Sequence, residues 1–184
     1  PEEDLHRGRI GEHDRAFAFR DEPFARLLEK VLIARIAIRN NLFEDIGGEL
    51  SYGEDGVKLT GVVQLASNDL KDEQQKGHVA SPDFFDTERY PEATYVSSDI
   101  QLDGAAVTIT GELTLKGQTR EVTVTGTIGN PGPNIGGTET IAVNLKTTIN
   151  RQDYGVSWNA ELPNGSSVLG DEVTVEVALE LVQG

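Results

Sequence analysis

The sequence predicts an all-β fold, a single antiparallel sheet closed into a barrel, and three observations support this prediction. Apolar and polar residues alternate over long runs, as in strands that bury one face. Valine and threonine are enriched in those runs, which favours strands over helices. Turn residues separate the runs. Because such a sheet has to cover both its apolar face and its edges, a closed barrel is favoured over a two-layer sandwich.

The predicted strands follow one another along the whole chain, and we count eight or nine of them. The first three are predicted at residues 16–20, 32–39 and 47–52. The six later strands have inward rows formed by Leu59, Gly61, Val63 and Leu65; by Val96, Ser98, Ile100 and Leu102; by Val107, Ile109, Gly111, Leu113 and Leu115; by Val122, Val124, Gly126 and Ile128; by Ile141, Val143, Leu145, Thr147 and Ile149; and by Val173, Val175, Val177, Leu179 and Leu181.

Turns and two helical segments interrupt the alternation. Turn residues occur at residues 52–56, 103–104, 116–118 and 129–134. A helix is predicted to begin at Glu22 after the candidate cap Asp21, with an apolar face formed by Phe24, Leu27, Leu28 and Val31. A second, short helical segment is predicted within residues 68–87, where Ser81 is a candidate cap. We therefore expect one or two short helices near the barrel ends.

Composition limits both the architecture and the partners. The 184 residues fit one domain, residues 1–184, with 37% hydrophobic residues. No apolar run approaches the roughly 18 residues that cross a bilayer, so stable membrane insertion is not expected. The formal net charge of −15 repels phosphate backbones, so nucleic acid is not expected as a partner. Cysteine is absent, which excludes disulfides, thiolate catalysis and thiolate metal sites.

Three glycines bear on whether the barrel interior is filled. Gly61, Gly111 and Gly126 fall on inward positions among aliphatic residues of medium size. An eight-stranded barrel lies near the boundary between a filled core and a ligand pocket, so missing side chains at three inward positions favour a pocket. The alternative is that each glycine marks a bulge or a bend where the sheet curves.

Four sequence blocks indicate a family. SPDFFD at residues 81–86 with YPEATY at 90–95, GELTLKGQTR at 111–120, INRQDYGV at 149–156 with Trp158 after it, and GDEV at 170–173 occur in this order. They resemble the motifs of the YceI-like polyisoprenoid-binding family over about residues 57–182, whereas residues 1–45 diverge from it. The resemblance implies an extended, lipocalin-like barrel of eight antiparallel strands that binds polyisoprenoids or similar amphiphiles inside. Since the family includes exported members and the chain has no Met, a periplasmic or secreted location is favoured over a cytoplasmic one.

The candidate ligand-binding residues are those expected to face the barrel interior or to close its ends. They are Phe17, Phe19, Leu27, Leu28, Gly61, Val63, Leu65, Phe84, Phe85, Val107, Ile109, Gly111, Val124, Gly126, Val143, Leu145, Trp158, Val175 and Val177. Phe17 and Phe19 either line the interior or pack it, and the helix from Glu22 either packs on the wall or acts as a lid. For Arg151, a structural bond to Asp153 or to backbone carbonyls is favoured over a contact with a ligand headgroup.

The principal hypothesis is a carrier or reservoir for a long apolar or amphiphilic molecule, such as a polyisoprenoid, a quinone-like compound or a fatty lipid. An enzyme that folds and shields a polyene, for example a cyclase or an isomerase, is the alternative. A packed, ligand-free barrel is a third possibility. No catalytic, metal or cofactor motif occurs, and His78 with Asp69 or Asp72 fits a solvated loop better than an acid–base pair. No cofactor is expected, and a homodimer is possible.

Overall fold

The computed structural model describes residues 32–38, 41–53, 56–133 and 135–182. The strand predicted at 16–20 and the helix predicted from Glu22 lie outside the described residues, and so do the candidate site residues Phe17, Phe19, Leu27 and Leu28.

Ten strands form one sheet in this part of the chain, and neighbouring strands are antiparallel. Along the sheet the hydrogen-bonded order is β2-β1-β10-β9-β7-β6-β5-β4-β3, with the short β8 paired to β9 alone. The strands are β1 (Leu32–Ile38), β2 (Asn41–Phe43), β3 (Ile46–Gly53), β4 (Gly56–Gln64), β5 (Glu92–Asp103), β6 (Ala106–Leu115), β7 (Gln118–Ile128), β8 (Gly132–Pro133), β9 (Glu139–Asn150) and β10 (Glu172–Val182).

The sheet curls around an apolar interior. β2 and β3, which lie at opposite ends of the hydrogen-bonded order, follow each other in the chain and bring the two edges of the sheet together. β2 and β3 are separated only by Glu44 and Asp45 and act as one bent strand. The first part of this strand pairs with β1, and the second part pairs with β4. Counted in this way and without the two-residue β8, eight antiparallel strands follow one another around the interior. The predicted eight-stranded antiparallel barrel is confirmed.

Tight turns set the register of the long hairpins. β6 and β7 are joined at Lys116 and Gly117, which both have positive φ angles, 49° and 72°. Two such residues in a row suit a two-residue turn whose twist matches that of the strands. Gly104, with φ of 59°, occupies the corresponding turn between β5 and β6. Both hairpins lie where the sequence predicts them.

A single α-helix, α1 (Glu73–Ala80), lies between β4 and β5 in the described residues. The Asp72 side chain accepts a hydrogen bond of 2.9 Å from the Gln75 amide and so caps the N-terminus of the helix. Ser81, the candidate cap, ends α1, since its amide donates to the His78 carbonyl. The Ser81 carbonyl then accepts from the amides of Phe84 and Asp86, which begins the turn that leads to β5.

The predicted inward row of β5 is wrong in its first half, because the strand contains a bulge. Ser97 pairs with Gly111 and Asp99 pairs with Thr110, so that Ser98 is an extra residue without its own partner. Before the bulge, Val96 is exposed and Ser97 is buried. After the bulge, Ile100 and Leu102 pack against the core as predicted.

The buried residues form two clusters at different heights of the barrel. The first cluster fills the half nearer the β3–β4 and β5–β6 hairpins with aliphatic side chains: Leu59, Val107, Ile109, Val124, Ile141, Val143, Leu145, Leu179 and Leu181. The second, which we call the end cluster, lies at the opposite end and contains Phe43, Leu65, Leu115, Tyr154 and Val156.

Candidate functional site

An apolar cavity, the main chamber, lies inside the barrel and has a volume of about 120 Å³. Its walls come from β3, β4, β5, β6, β7, β9 and β10, so it is a feature of the whole barrel rather than of one loop. Aliphatic side chains dominate the lining, which includes Ile46, Val63, Ala93, Leu113, Val122, Val124, Val175 and Val177. Such a surface can hold hydrocarbon and provides few hydrogen bonds to a polar ligand.

A second, smaller cavity lies nearer the hairpin end, and we call it the small chamber. Its volume is about 40 Å³, and aliphatic residues form its whole lining, among them Val57, Ile100, Leu102 and Ile128. Leu59, Leu145 and Leu179 line both chambers and therefore separate them. We call these three residues the leucine collar.

The three inward glycines have different environments. A Cβ atom built on Gly61 has no atom within 4 Å, and Gly61 lines the main chamber together with Gly47, which is equally open. A Cβ on Gly111 would lie 2.8 Å from Cζ of Tyr95, and a Cβ on Gly126 would lie 1.8 Å from the Asn144 carbonyl oxygen. The pocket interpretation is therefore wrong for Gly111 and Gly126, where neighbouring groups occupy the space, and of the three predicted glycines Gly61 alone enlarges the interior.

Tyr95 is the largest side chain of the main chamber that the sequence analysis missed. Its hydroxyl lies 3.2 Å from the carbonyl oxygens of both Ile109 and Val122. Burial raises the pKa of Tyr95 to about 12, because the charged phenolate loses hydration there. The bulge at Ser98 hid this residue, since the predicted row of β5 placed Tyr95 on the outer face.

Most of the candidate residues on the central strands meet at the two chambers. The main chamber receives Gly61, Val63, Val124, Leu145, Val175 and Val177. The small chamber receives Val107, Ile109, Val143 and again Leu145. The candidates that line neither chamber are Leu65, Phe84, Phe85, Gly111, Gly126 and Trp158.

The aromatic candidates close one end of the barrel. Phe85 packs edge-on against Phe43 of the end cluster, with ring centroids 6.3 Å apart. Phe84 lies 5.4 Å from Trp158, and the His78 ring contacts both in edge-to-face geometry. His78 Nε2 lies 3.5 Å from Asp83 Oδ2 and not beside Asp69 or Asp72 as a catalytic pair would require.

Arg151 is a structural residue of the same end. Its guanidinium is almost fully buried and donates to the carbonyl oxygens of Gly170, Val156 and Trp158 at 2.7–2.9 Å. The expected structural bonds to backbone carbonyls are therefore confirmed, whereas the carboxylate that pairs with Arg151, at 2.9 Å, is Asp171 and not Asp153. These bonds fix the 3₁₀ turn Arg151–Tyr154 to the loop that precedes β10.

Two further features of the described residues concern ligands and membranes. No group of three or more histidine, aspartate or glutamate side chains comes together there in a way that could hold a metal ion. None of the helices in the same part of the chain has the length and apolarity needed to cross a bilayer.

Comparison of the sequence with known proteins identifies a matching family and a similar relative. The sequence profile of the YceI-like domain matches residues 35–181. A UPF0312 protein of Staphylococcus aureus strain MSSA476 is 31% identical over 128 residues, which are 67% of this chain and 71% of that protein.

Two solved structures show the fold. BcnA of Burkholderia cenocepacia is similar with a TM-score of 0.65 and 26% identity, over 81% of this chain and 95% of that one. A domain of Saccharophagus degradans, described as polyisoprenoid-binding and implicated in plant cell wall breakdown, has a TM-score of 0.55 and 16% identity. That match covers 84% of this chain and 94% of the domain.

Proposed function

Since the chain belongs to the YceI-like family, we propose that it binds a long apolar or amphiphilic molecule, of the isoprenoid or fatty class, in its main chamber. The protein would act as a carrier or reservoir of that molecule. The chamber that carries this proposal lies inside the barrel and is lined almost entirely by aliphatic groups.

The physical basis is the transfer of hydrocarbon from water into that lining. Each buried CH₂ group contributes roughly 0.8 kcal/mol, so a prenyl or acyl segment needs no ion pair to bind. The open space at Gly47 and Gly61 is of particular use, because a ligand can contact the β3 and β4 backbone there without displacing a side chain. The polyisoprenoid-binding domain of Saccharophagus degradans supports the choice of ligand class through its similar fold.

The volume of the chamber restricts how such a ligand sits. An engineered cavity of about 150 Å³ in another protein accepts a molecule as small as benzene. A chamber of about 120 Å³ therefore holds one short segment of a chain in the arrangement observed. A longer ligand has to extend beyond the chamber or displace the side chains that bound it.

The test begins with the protein as purified. An organic-solvent extract analysed by mass spectrometry should contain a long-chain lipid, and added geranylgeraniol should bind in a fluorescence-displacement assay. Gly61→Leu places a side chain in the open space and should weaken geranylgeraniol binding at least about tenfold. The matched control is Thr125→Leu, which adds the same side chain on the exposed face of β7 and should leave binding unchanged.

The possible results separate the hypotheses. Absence of any lipid together with no binding of geranylgeraniol would contradict the proposal. Equal affinities of the Gly61→Leu and Thr125→Leu proteins would exclude the main chamber as the site. Conversion of a linear polyene into a cyclic product would favour the enzyme over the carrier.

A further inference from the structure

We propose that the leucine collar selects ligands by chain length, because it stops the apolar chain at the end of the main chamber. This inference rests on the proposed function and adds a specificity-determining element to it. The observation behind it is that Leu59, Leu145 and Leu179 are the residues common to two otherwise separate apolar chambers.

The collar closes the interior from opposite walls. Leu59 lies on β4, whereas Leu145 and Leu179 lie on the neighbouring strands β9 and β10. Along the sheet, β7, β6 and β5 separate β9 from β4, so the two sides face each other across the barrel. All three side chains are buried, belong to one contiguous hydrophobic cluster and line both chambers, so the boundary between the chambers is part of the packed core.

The backbone around the collar holds Leu145 in place. Leu145 pairs with Gly126 of β7, and a Cβ on Gly126 would lie only 2.9 Å from the Leu145 Cα. The absence of a side chain at Gly126 thus lets β9 approach β7 closely at the height of the collar. Gly126 therefore contributes to the narrow part of the interior and does not open it.

The volumes on the two sides indicate what the collar does to a ligand. The main chamber, with a volume of about 120 Å³, is about three times as large as the small chamber, with a volume of about 40 Å³. A chain whose end stays within the main chamber leaves the collar in place, whereas a chain that enters further has to push leucines of a packed cluster aside. Such overpacking is unfavourable, so ligands that end before the collar are preferred.

Truncating a collar residue should join the two chambers and shift the preferred ligand towards a longer chain. Leu145→Ala removes a branched side chain from the boundary, and the space left behind should connect the two volumes. The probes are geraniol, farnesol, geranylgeraniol and solanesol, which form a series of increasing chain length. The ratio of the Kd for farnesol to the Kd for geranylgeraniol should rise about tenfold in Leu145→Ala, in favour of the longer chain. Leu59→Ala should change the ratio in the same direction.

The control variant separates the collar from general loss of stability. Leu115 is 8% exposed, as are Leu59 and Leu179, but it belongs to the end cluster and lines neither chamber. Leu115→Ala should lower stability comparably and leave the farnesol-to-geranylgeraniol ratio at the wild-type value. If Leu145→Ala does not fold, the milder Leu179→Val should give a smaller change in the same direction.

The outcomes distinguish this inference from the function on which it rests. Lack of binding of every prenol to the wild-type protein would overturn the proposed function and the collar together. Prenol binding with the same chain-length profile in the wild-type and collar variants would overturn the collar alone. An equal change of the ratio in Leu115→Ala and Leu145→Ala would overturn the collar as well, since the effect would then be nonspecific.

Discussion

The closed end of the barrel and the main chamber are built by the same sheet, but they differ in how the interior is filled. At the closed end, large side chains meet in the end cluster, where Phe43 and Tyr154 are 1% and 2% exposed. In the main chamber, valines and two glycines leave space that no side chain occupies. The comparison teaches that periodic alternation decides which residues face inward, whereas side-chain size decides whether the interior is solid.

The two regions also differ in their polar groups. The closed end contains a buried guanidinium whose donors are taken up by three backbone carbonyls and one carboxylate. The main chamber has no charged side chain in its wall; its polar lining residues are Tyr95 and three threonines, and the Tyr95 hydroxyl bonds to the backbone. We infer that the closed end contributes mainly stability and leaves the central part of the barrel available for a ligand. Three predictions test this division, in order of decreasing expected effect.

The first prediction concerns Arg151. Arg151→Met should lower the free energy of unfolding by about 3 kcal/mol, because one buried and two part-buried carbonyl oxygens lose their donor and Asp171 loses its ion-pair partner. Chemical denaturation at neutral pH measures this change. The affinity for geranylgeraniol of the remaining folded protein should match the wild type.

The control for Arg151 is its exposed partner. Asp171 has a side chain that is 54% exposed, so Asp171→Asn should cost no more than about 1 kcal/mol. Equal losses in Arg151→Met and Asp171→Asn would mean that the ion pair, and not the bonds to the carbonyls, stabilises this end.

The second prediction compares two glycines of the interior. Gly126→Ala should lower the free energy of unfolding by about 2 kcal/mol, because the new Cβ would lie 1.8 Å from the Asn144 carbonyl oxygen and the strands would have to separate. Gly61→Ala meets no atom within 4 Å and should change stability by less than about 0.5 kcal/mol or increase it slightly. Urea midpoints of the two variants give the comparison directly. Similar losses in both would show that the two glycines have the same environment.

The sequence predicted the fold well where the alternation is uninterrupted. The inward rows of β6, β7, β9 and β10 are correct, since each strand keeps its period from end to end. The hairpin at Lys116 and Gly117 was predictable as well, because Gly117 lies between two alternating runs and readily adopts a positive φ angle. These features depend on local residue choice, which can be read from the chain itself.

The features that the sequence did not predict depend on neighbours that are distant in the chain. The bulge at Ser98 depends on pairing with β6 and reversed the predicted face of Val96 and Tyr95. The space at Gly111 and Gly126 is occupied by Tyr95 and by the β9 backbone, so the absence of a side chain did not indicate a cavity. The partner of Arg151 is Asp171, twenty residues further along the chain, whereas Asp153 is the nearer carboxylate.

The last prediction has the smallest expected effect and concerns the hydroxyl of Tyr95, the aromatic residue in the wall of the main chamber. Tyr95→Phe removes a hydroxyl that bonds to the Ile109 or Val122 carbonyl and should lower stability by about 1 kcal/mol at about pH 9. The pKa of Tyr95 is raised by burial to about 12 in the folded protein, compared with about 10 in an unfolded chain. The stabilisation linked to the neutral hydroxyl is therefore complete below about pH 10 and is lost as the pH rises towards about 12.

The difference in stability between the wild-type protein and Tyr95→Phe should accordingly shrink between about pH 9 and about pH 11. Burial also raises the pKa of Tyr154, with a further contribution from the Asp153 carboxylate and an opposing one from Arg120. Since Tyr154 is present in both proteins, its titration cancels in the comparison. Urea denaturation at the two pH values measures the difference. A constant difference would mean that the Tyr95 hydroxyl is more hydrated than its position in the chamber wall implies, and the main chamber would then be open to water at β5.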